Sequence, residues 1–110
     1  MTLTVCGDEI VCSKGRIRAL HPILDAREVE GRVLVLYDYM AFPRSEPARN
    51  LFAYDLSGNS IWRAEDIGFG ATDAYTNIIS ETPLVVGNFA GVTCTIDVQT
   101  GKVIETTCTK

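Results

Sequence analysis

A single histidine, a single tryptophan and no apolar run near the ~20 residues of a membrane-spanning helix close off several classes of protein at once. His21 sits directly before Pro22, and the four cysteines (Cys6, Cys12, Cys94, Cys108) form no Cys-x-x-Cys pair, so the ligands of a zinc site are missing. Basic residues are also scarce: 10 Lys and Arg stand against 14 Asp and Glu, a formal charge of -4. Nucleic acid and anionic lipid both repel such a chain, which excludes them as partners. The segment Met-Thr-Leu-Thr-Val-Cys-Gly-Asp-Glu has no basic stretch, no leader-length apolar stretch and no small-residue cleavage site. The expected compartment is therefore the cytoplasm, with buried reduced thiols as the expected state of cysteine. Cys6 and Cys12 have opposite parity across a Gly7-Asp8 hairpin, which argues against a bridge, whereas Cys94 and Cys108 share a parity and a disulfide between them stays open.

What is present is enough for one folded domain. A length of 110 residues fits a single unit, and 46% apolar residues against 22% charged ones supply a core. The charge is unevenly placed. Residues 1–63 carry eight cations and eight anions, while 64–110 carry Lys102 and Lys110 against Glu65, Asp66, Asp73, Glu81, Asp97 and Glu105. An acidic half steers toward a basic partner, although a solvated surface accounts for it equally well.

Apolar residues recur with a period of two over nearly the whole chain, which predicts an all-β fold: an antiparallel meander of about nine to ten short strands. Leu3 to Cys6, Ile10 to Ser13 and Arg16 to Leu20 form an N-terminal meander within 1–20. Val33 to Tyr39 is β-branched and aromatic enough for a central strand, with its first four residues buried on both faces. Leu51 to Leu56, Ser60 to Glu65, Asn77 to Ser80, Leu84 to Asn88, Val92 to Val98 and Lys102 to Thr107 follow, parted by Gly and Pro turn signals. Only 21–31 dissents, because Pro22 and Gly31 fit the ends of a short helix. A strand around Ile23 to Asp25 is favoured, since Glu30-Gly31 falls where a hairpin must turn into Val33.

The chain repeats itself. Ala53-Tyr-Asp55-Leu-Ser-Gly58-Asn-Ser-Ile61-Trp62 lies on Thr95-Ile-Asp97-Val-Gln-Thr-Gly101-Lys-Val103-Ile104, offset by 42 at the aspartate and 43 at the glycine. In each copy Asp accepts backbone N–H groups of the turn, Gly supplies positive φ, and the returning strand buries its apolar group. These residues resemble the blade repeat of quinoprotein-type β-propellers, in which Ala-x-Asp precedes a Gly or Thr-Gly turn and a Trp. They are similar also to small uncharacterised bacterial proteins with an Arg-Asn-Leu-x-Ala-x-Asp…Gly-x-x-x-Trp core, here Arg49 to Trp62. The resemblance implies two blade-like units, 23–66 and 75–110, with Trp docking lost in the second, where Glu105 stands. A propeller takes at least four blades, so no quinone cofactor is carried over, and no cofactor of any kind is expected. Two units must close in another way: as a sandwich, as a barrel with the N-terminal meander, or by homodimerisation.

Strand parity sends loops 40–50, 66–76 and 89–91 to one end, and the turns 57–59, 81–83 and 99–101 to the other. The first set is longer and chemically richer, which is where a scaffold carries function. Asp38, Arg44, Arg49, Asp66, Asp73, Tyr75 and Asn88 are the candidate binding residues. The structural alternative is that Arg44 and Arg49 pair with Asp38, Glu46 or Asp66 to pin the loop. Tyr37 and Tyr39, on one parity beside Asp38, form an aromatic shelf or a packed sheet face. No catalytic or metal residue is nominated: Asp66 and Asp73 lie seven apart in a Gly-rich loop, and Gly68-Phe69-Gly70 lacks a phosphate loop's third glycine. The expected function is a non-enzymatic interaction module that masks or inhibits a protein partner as an immunity protein does. A small-molecule binder using loops 40–50 and 66–76 is the alternative, and a hydrolase-like enzyme the third reading. Masking predicts a convex acidic face, ligand binding a concavity of at least ~300 Å³.

Overall fold

The computed structural model describes residues 3–108. Met1 and Thr2 of the N-terminal segment, and Lys110 of the charge count, lie outside the described residues. Eleven strands form three antiparallel sheets, each a run of neighbouring hairpins, and none closes into a barrel. The N-terminal sheet holds β1 (Thr4–Cys6), β2 (Glu9–Val11) and β3 (Arg16–Arg18). The central sheet holds β4 (Ile23–Val29), β5 (Arg32–Tyr37), β6 (Leu51–Tyr54) and β7 (Ser60–Arg63). The C-terminal sheet repeats that order in β8 (Tyr75–Glu81), β9 (Leu84–Asn88), β10 (Val92–Ile96) and β11 (Val103–Cys108). The fold is all-β and sandwich-like, with the central sheet between the other two.

The 21–31 segment is a strand, and a longer one than Ile23 to Asp25. Glu30 (φ 50) and Gly31 (φ 79) form a two-residue turn with both φ positive, and Val29 then faces Arg32 across the hairpin. Turns of that hand match the twist of paired strands, so the chain reverses here and no helix forms.

β5 reads Val-Leu-Val-Leu because it is covered on both sides. Val33, Val35 and Tyr37 meet Ile10, Cys12 and Ile17 of the N-terminal sheet, with Tyr54 from β6. Leu34 and Leu36, with Leu51, Ala53 and Trp62, meet Tyr75, Ile78, Leu84, Val86, Cys94 and Ile96 of the C-terminal sheet. Two cores share strands β5 and β6. The expected strand Val33 to Tyr39 stops at Tyr37, however, because the Asp38 carboxylate accepts the Met40 N–H (2.9 Å) and starts a single 3₁₀ turn, Tyr39–Ala41. Tyr37 and Tyr39 therefore make no shared shelf. The Tyr37 hydroxyl is buried against that of Tyr54 at 2.8 Å, whereas the Tyr39 ring leaves the sheet.

The short turns of the opposite end are docking points, not generic connections. A Cβ on Gly101 would lie 2.5 Å from the Trp62 ring, and the Trp62 indole donates to the Val98 carbonyl at 2.9 Å. One sheet earlier, a Cβ on Gly58 would lie 2.1 Å from the Arg16 carbonyl oxygen, and the Lys14 N–H donates to the Leu56 carbonyl at 3.1 Å. Leu56 and Val98 are equivalent in the 42-residue repeat, so each sheet hangs on the same carbonyl of the next. The cysteines form no disulfide: Cys12 and Cys94 are buried, Cys6 and Cys108 exposed.

Candidate functional site

Loops 40–50, 66–76 and 89–91 meet at one end, and the link between them is Asn50. Its side-chain amide is fully buried and donates to the carbonyls of Tyr37 (2.7 Å) and Tyr75 (2.8 Å), while its oxygen accepts the Tyr75 N–H (2.9 Å). A carboxamide carries donors and an acceptor, so it substitutes for a peptide group and stitches β5 to β8 where no strand pairing exists. Arg49, in the left-handed region at φ 46, turns the chain so that Asn50 points inward.

Asp73 ties the second loop. Its buried carboxylate accepts the Ile67 N–H (2.7 Å), the Phe69 N–H (3.3 Å) and the Asn88 amide (3.0 Å). A carboxylate holding three donors orders a glycine-rich segment that has little packing of its own. The Tyr75 hydroxyl donates to the Glu65 carbonyl, and burial pushes it well above the ordinary tyrosine value, with Cys94 and nearby carboxylates adding to the rise. Burial, with Asp73 beside it, likewise pushes the Cys94 thiol up to about 11.

Of the seven candidate residues, then, Asp73, Tyr75 and Asn88 are interior and position the loops. Asp38 and Asp66 bind the N–H groups of their own turns, Met40 and Gly68. The expected pairing of the arginines with acidic neighbours is not what forms. Arg49 donates to the Ala64 carbonyl at 3.1 Å, and Arg44 makes no ion pair among the described residues. A carbonyl partner suffices for Arg49 because the 49–50 backbone already runs beside β7. Of the seven, Arg44 lines the cavity between these loops.

That cavity is a half-open cleft of about 380 Å³. The first loop supplies Tyr39, Met40, Phe42 and Pro43 to one side; Ala71 and Ala74 face them, and Phe89 closes a third side. Tyr39 and Phe89 stack with ring centroids 6.0 Å apart. Met40 (59% exposed) and Phe89 (64%) leave much of their surface in water. Ala48 and two charged side chains, Arg44 and Glu46, complete the lining. Beside the cleft, the Arg63 guanidinium lies 5.7 Å from the Phe42 ring and 5.1 Å from the Phe52 ring. It donates to the carbonyls of Arg49 and Ala48, both at 2.9 Å. Burial and the Arg49 charge lower its pKa, and Glu46 opposes them.

Sequence reasoning missed Asn50, Arg63 and Phe89. Asn50 is a polar residue before an apolar strand, where a loop residue would read the same; Arg63 and Phe89 alternate like any strand or turn residue. Only the exposed position of Phe89, next to the Ala90-Gly91 turn signal, was a cue. The carboxylates of the acidic half are engaged in different places. Glu65 accepts the Val103 N–H, Glu81 pairs with Arg27, Asp97 accepts the Gln99 N–H, and Asp66 and Asp73 serve their own loop. Among the described residues, no group of His, Cys, Asp and Glu is placed to hold a metal ion, and no helix is long and apolar enough to cross a membrane.

A family model described as a domain of unknown function (DUF7957) matches residues 1–108, and the chain belongs to that family. Neither the curated proteins nor the solved structures yield a match.

Proposed function

We propose that this member of the DUF7957 family is a non-enzymatic binding module that takes an apolar anchor of a protein partner into the cleft between its three long loops. The observation that carries this reading is the cleft itself: about 380 Å³, walled by Tyr39, Phe42 and Phe89 and held open by buried Asn50 and Asp73. Pre-formed apolar concavities with a few polar groups are the usual form of binding sites, and exposed aromatic rims mark protein contacts. The two four-stranded units, each docked on the next turn, are read as degenerate propeller-like blades that serve as the scaffold.

The volume also favours a second reading, in which a small molecule fills the same cleft. One pair of variants tests both. Ala71→Trp fills the cleft from an exposed wall and Phe89→Ala removes the third wall. Each is expected to abolish or weaken binding of apolar peptides or fragments, followed by NMR amide shifts in 39–48 and 89–91, with the thermal midpoint nearly unchanged. Shifts confined to other surfaces in the wild-type protein would end this proposal.

A further inference from the structure

We infer that the occupant of the cleft carries a carboxylate beside its bulky apolar group, as a peptide segment does where Phe, Leu, Met or Trp neighbours Asp, Glu or the chain's terminal carboxylate. Arg44 is the residue that selects it. The inference rests on the binding reading above and goes on from it to the chemistry of the ligand.

Two charges line the cleft, and they stand in different surroundings. The Glu46 charge raises the Arg63 pKa against burial and Arg49, though the two make no ion pair among the described residues. Arg44 has none: the ion pairs of the described residues use Arg16, Arg18 and Arg27, and its guanidinium donates to no described atom. Arg49 and Arg63 donate to backbone carbonyls beside the same loop. Arg44 is thus the cation that lines the cleft with no ion pair among the described residues. A planar guanidinium in apolar surroundings matches the two oxygens of a carboxylate, and charge-assisted bonds of that kind are about twice as strong as neutral ones.

The apolar surface reaches past the cavity, because Met40 and Phe89 line it and are still 59% and 64% exposed. A ligand no larger than the cavity leaves that surface in water, whereas a chain segment covers it while one side chain enters. A peptide is therefore the occupant the geometry favours over a free acid.

A random-peptide display library selected against the full chain tests this, with Arg44→Glu and Ala71→Trp selected in parallel and their folding checked by circular dichroism. Wild-type protein should enrich peptides with a bulky apolar residue within two positions of a carboxylate. Arg44→Glu should bind those peptides about 10- to 100-fold more weakly, the equivalent of one charged hydrogen-bonded contact, and should enrich basic neighbours instead. Ala71→Trp should enrich nothing. Apolar peptides enriched without regard to charge, and equally by Arg44→Glu, would overturn the inference and leave the binding reading standing. Enrichment that survives in Ala71→Trp would sink both. If no peptide is enriched but 3-phenylpropionate shifts the amides of 39–48, a free acid is the occupant and the peptide assignment is overturned; if neither binds, both proposals fall.

Discussion

The central and C-terminal sheets share strand order, hairpin turns and a sequence repeat, yet one has two covered faces and the other has one. Matching β6 to β10 by the 42-residue offset, and their neighbours by register, sets Leu34, Leu36, Leu51, Ala53 and Trp62 against Val85, Gly87, Thr93, Thr95 and Glu105. The first five residues bury against the next sheet. The second five offer a shortened, polar or missing side chain at each place. The repeat thus sets the hairpins, while the composition of one face decides whether another layer follows. The N-terminal sheet ends the stack on the other side: Ile10 and Ile17 turn inward, and Arg16 and Arg18 stay outside.

Trp62→Ala against Glu105→Ala breaks the comparison most sharply. The first empties a docked site and should cost about 3–5 kcal/mol by urea unfolding. The second, at the equivalent exposed place, should stay within about 0.5 kcal/mol. Equal effects would mean that the two faces are not distinguished by packing.

Asn50→Ala should follow, at about 2–4 kcal/mol, since it strands the Tyr37 and Tyr75 carbonyls and the Tyr75 N–H in the interior. Amide exchange should then quicken at 66–76 before it does so in the N-terminal sheet.

Two glycines with φ of 79 isolate the docking contribution. Gly31→Ala meets only the conformational penalty, about 1–2 kcal/mol, as no atom lies near its Cβ. Gly101→Ala meets the Trp62 ring as well and should cost more. The excess should vanish in a Trp62→Ala background.

Thiols report the burial difference at smaller scale. With an aromatic disulfide reagent at neutral pH, Cys6 and Cys108 should react at once, and Cys12 and Cys94 only on unfolding. The Cys94 pKa is raised, so the stability it lends is complete below the ordinary value of 9.0 and is lost as pH climbs through about 11. Cys94→Ser, a near-isosteric change, should remove that alkaline dependence.

The smallest effect lies in the turns. Backbone and side-chain hydrogen bonds from Asn59 lead those that hold the Asp55 carboxyl below its ordinary 3.8. Its contribution is present above that value and fades as pH falls through the lower folded one, so Asp55→Asn should flatten the acid limb of a thermal-midpoint titration.

Much of the fold was legible because its signals are local. Val33 to Leu36 read as a doubly covered strand, and Glu30-Gly31 fell where a reversal into it was favoured over the end of a short helix. The meeting of loops 40–50 and 66–76 followed from strand parity alone. The site was less legible. Tyr39 left its strand because Asp38 found the Met40 N–H, and Asp73 and Asn88 turned inward to each other; both choices depend on partners distant from the residue or on a capping competition that alternation does not encode.

By itself the sequence determined most of the strands, the positive-φ turns and the inward parity of the central strand, because these depend on neighbours one to four positions away. Only the tertiary structure decided that Trp62 sits on Gly101, that Asn50 joins β5 to β8, and that Arg44 is left without a counter-charge at an apolar cleft. Those outcomes rest on burial and electrostatic pairing between segments up to 39 residues apart, where competing partners are compared only once the sheets are stacked.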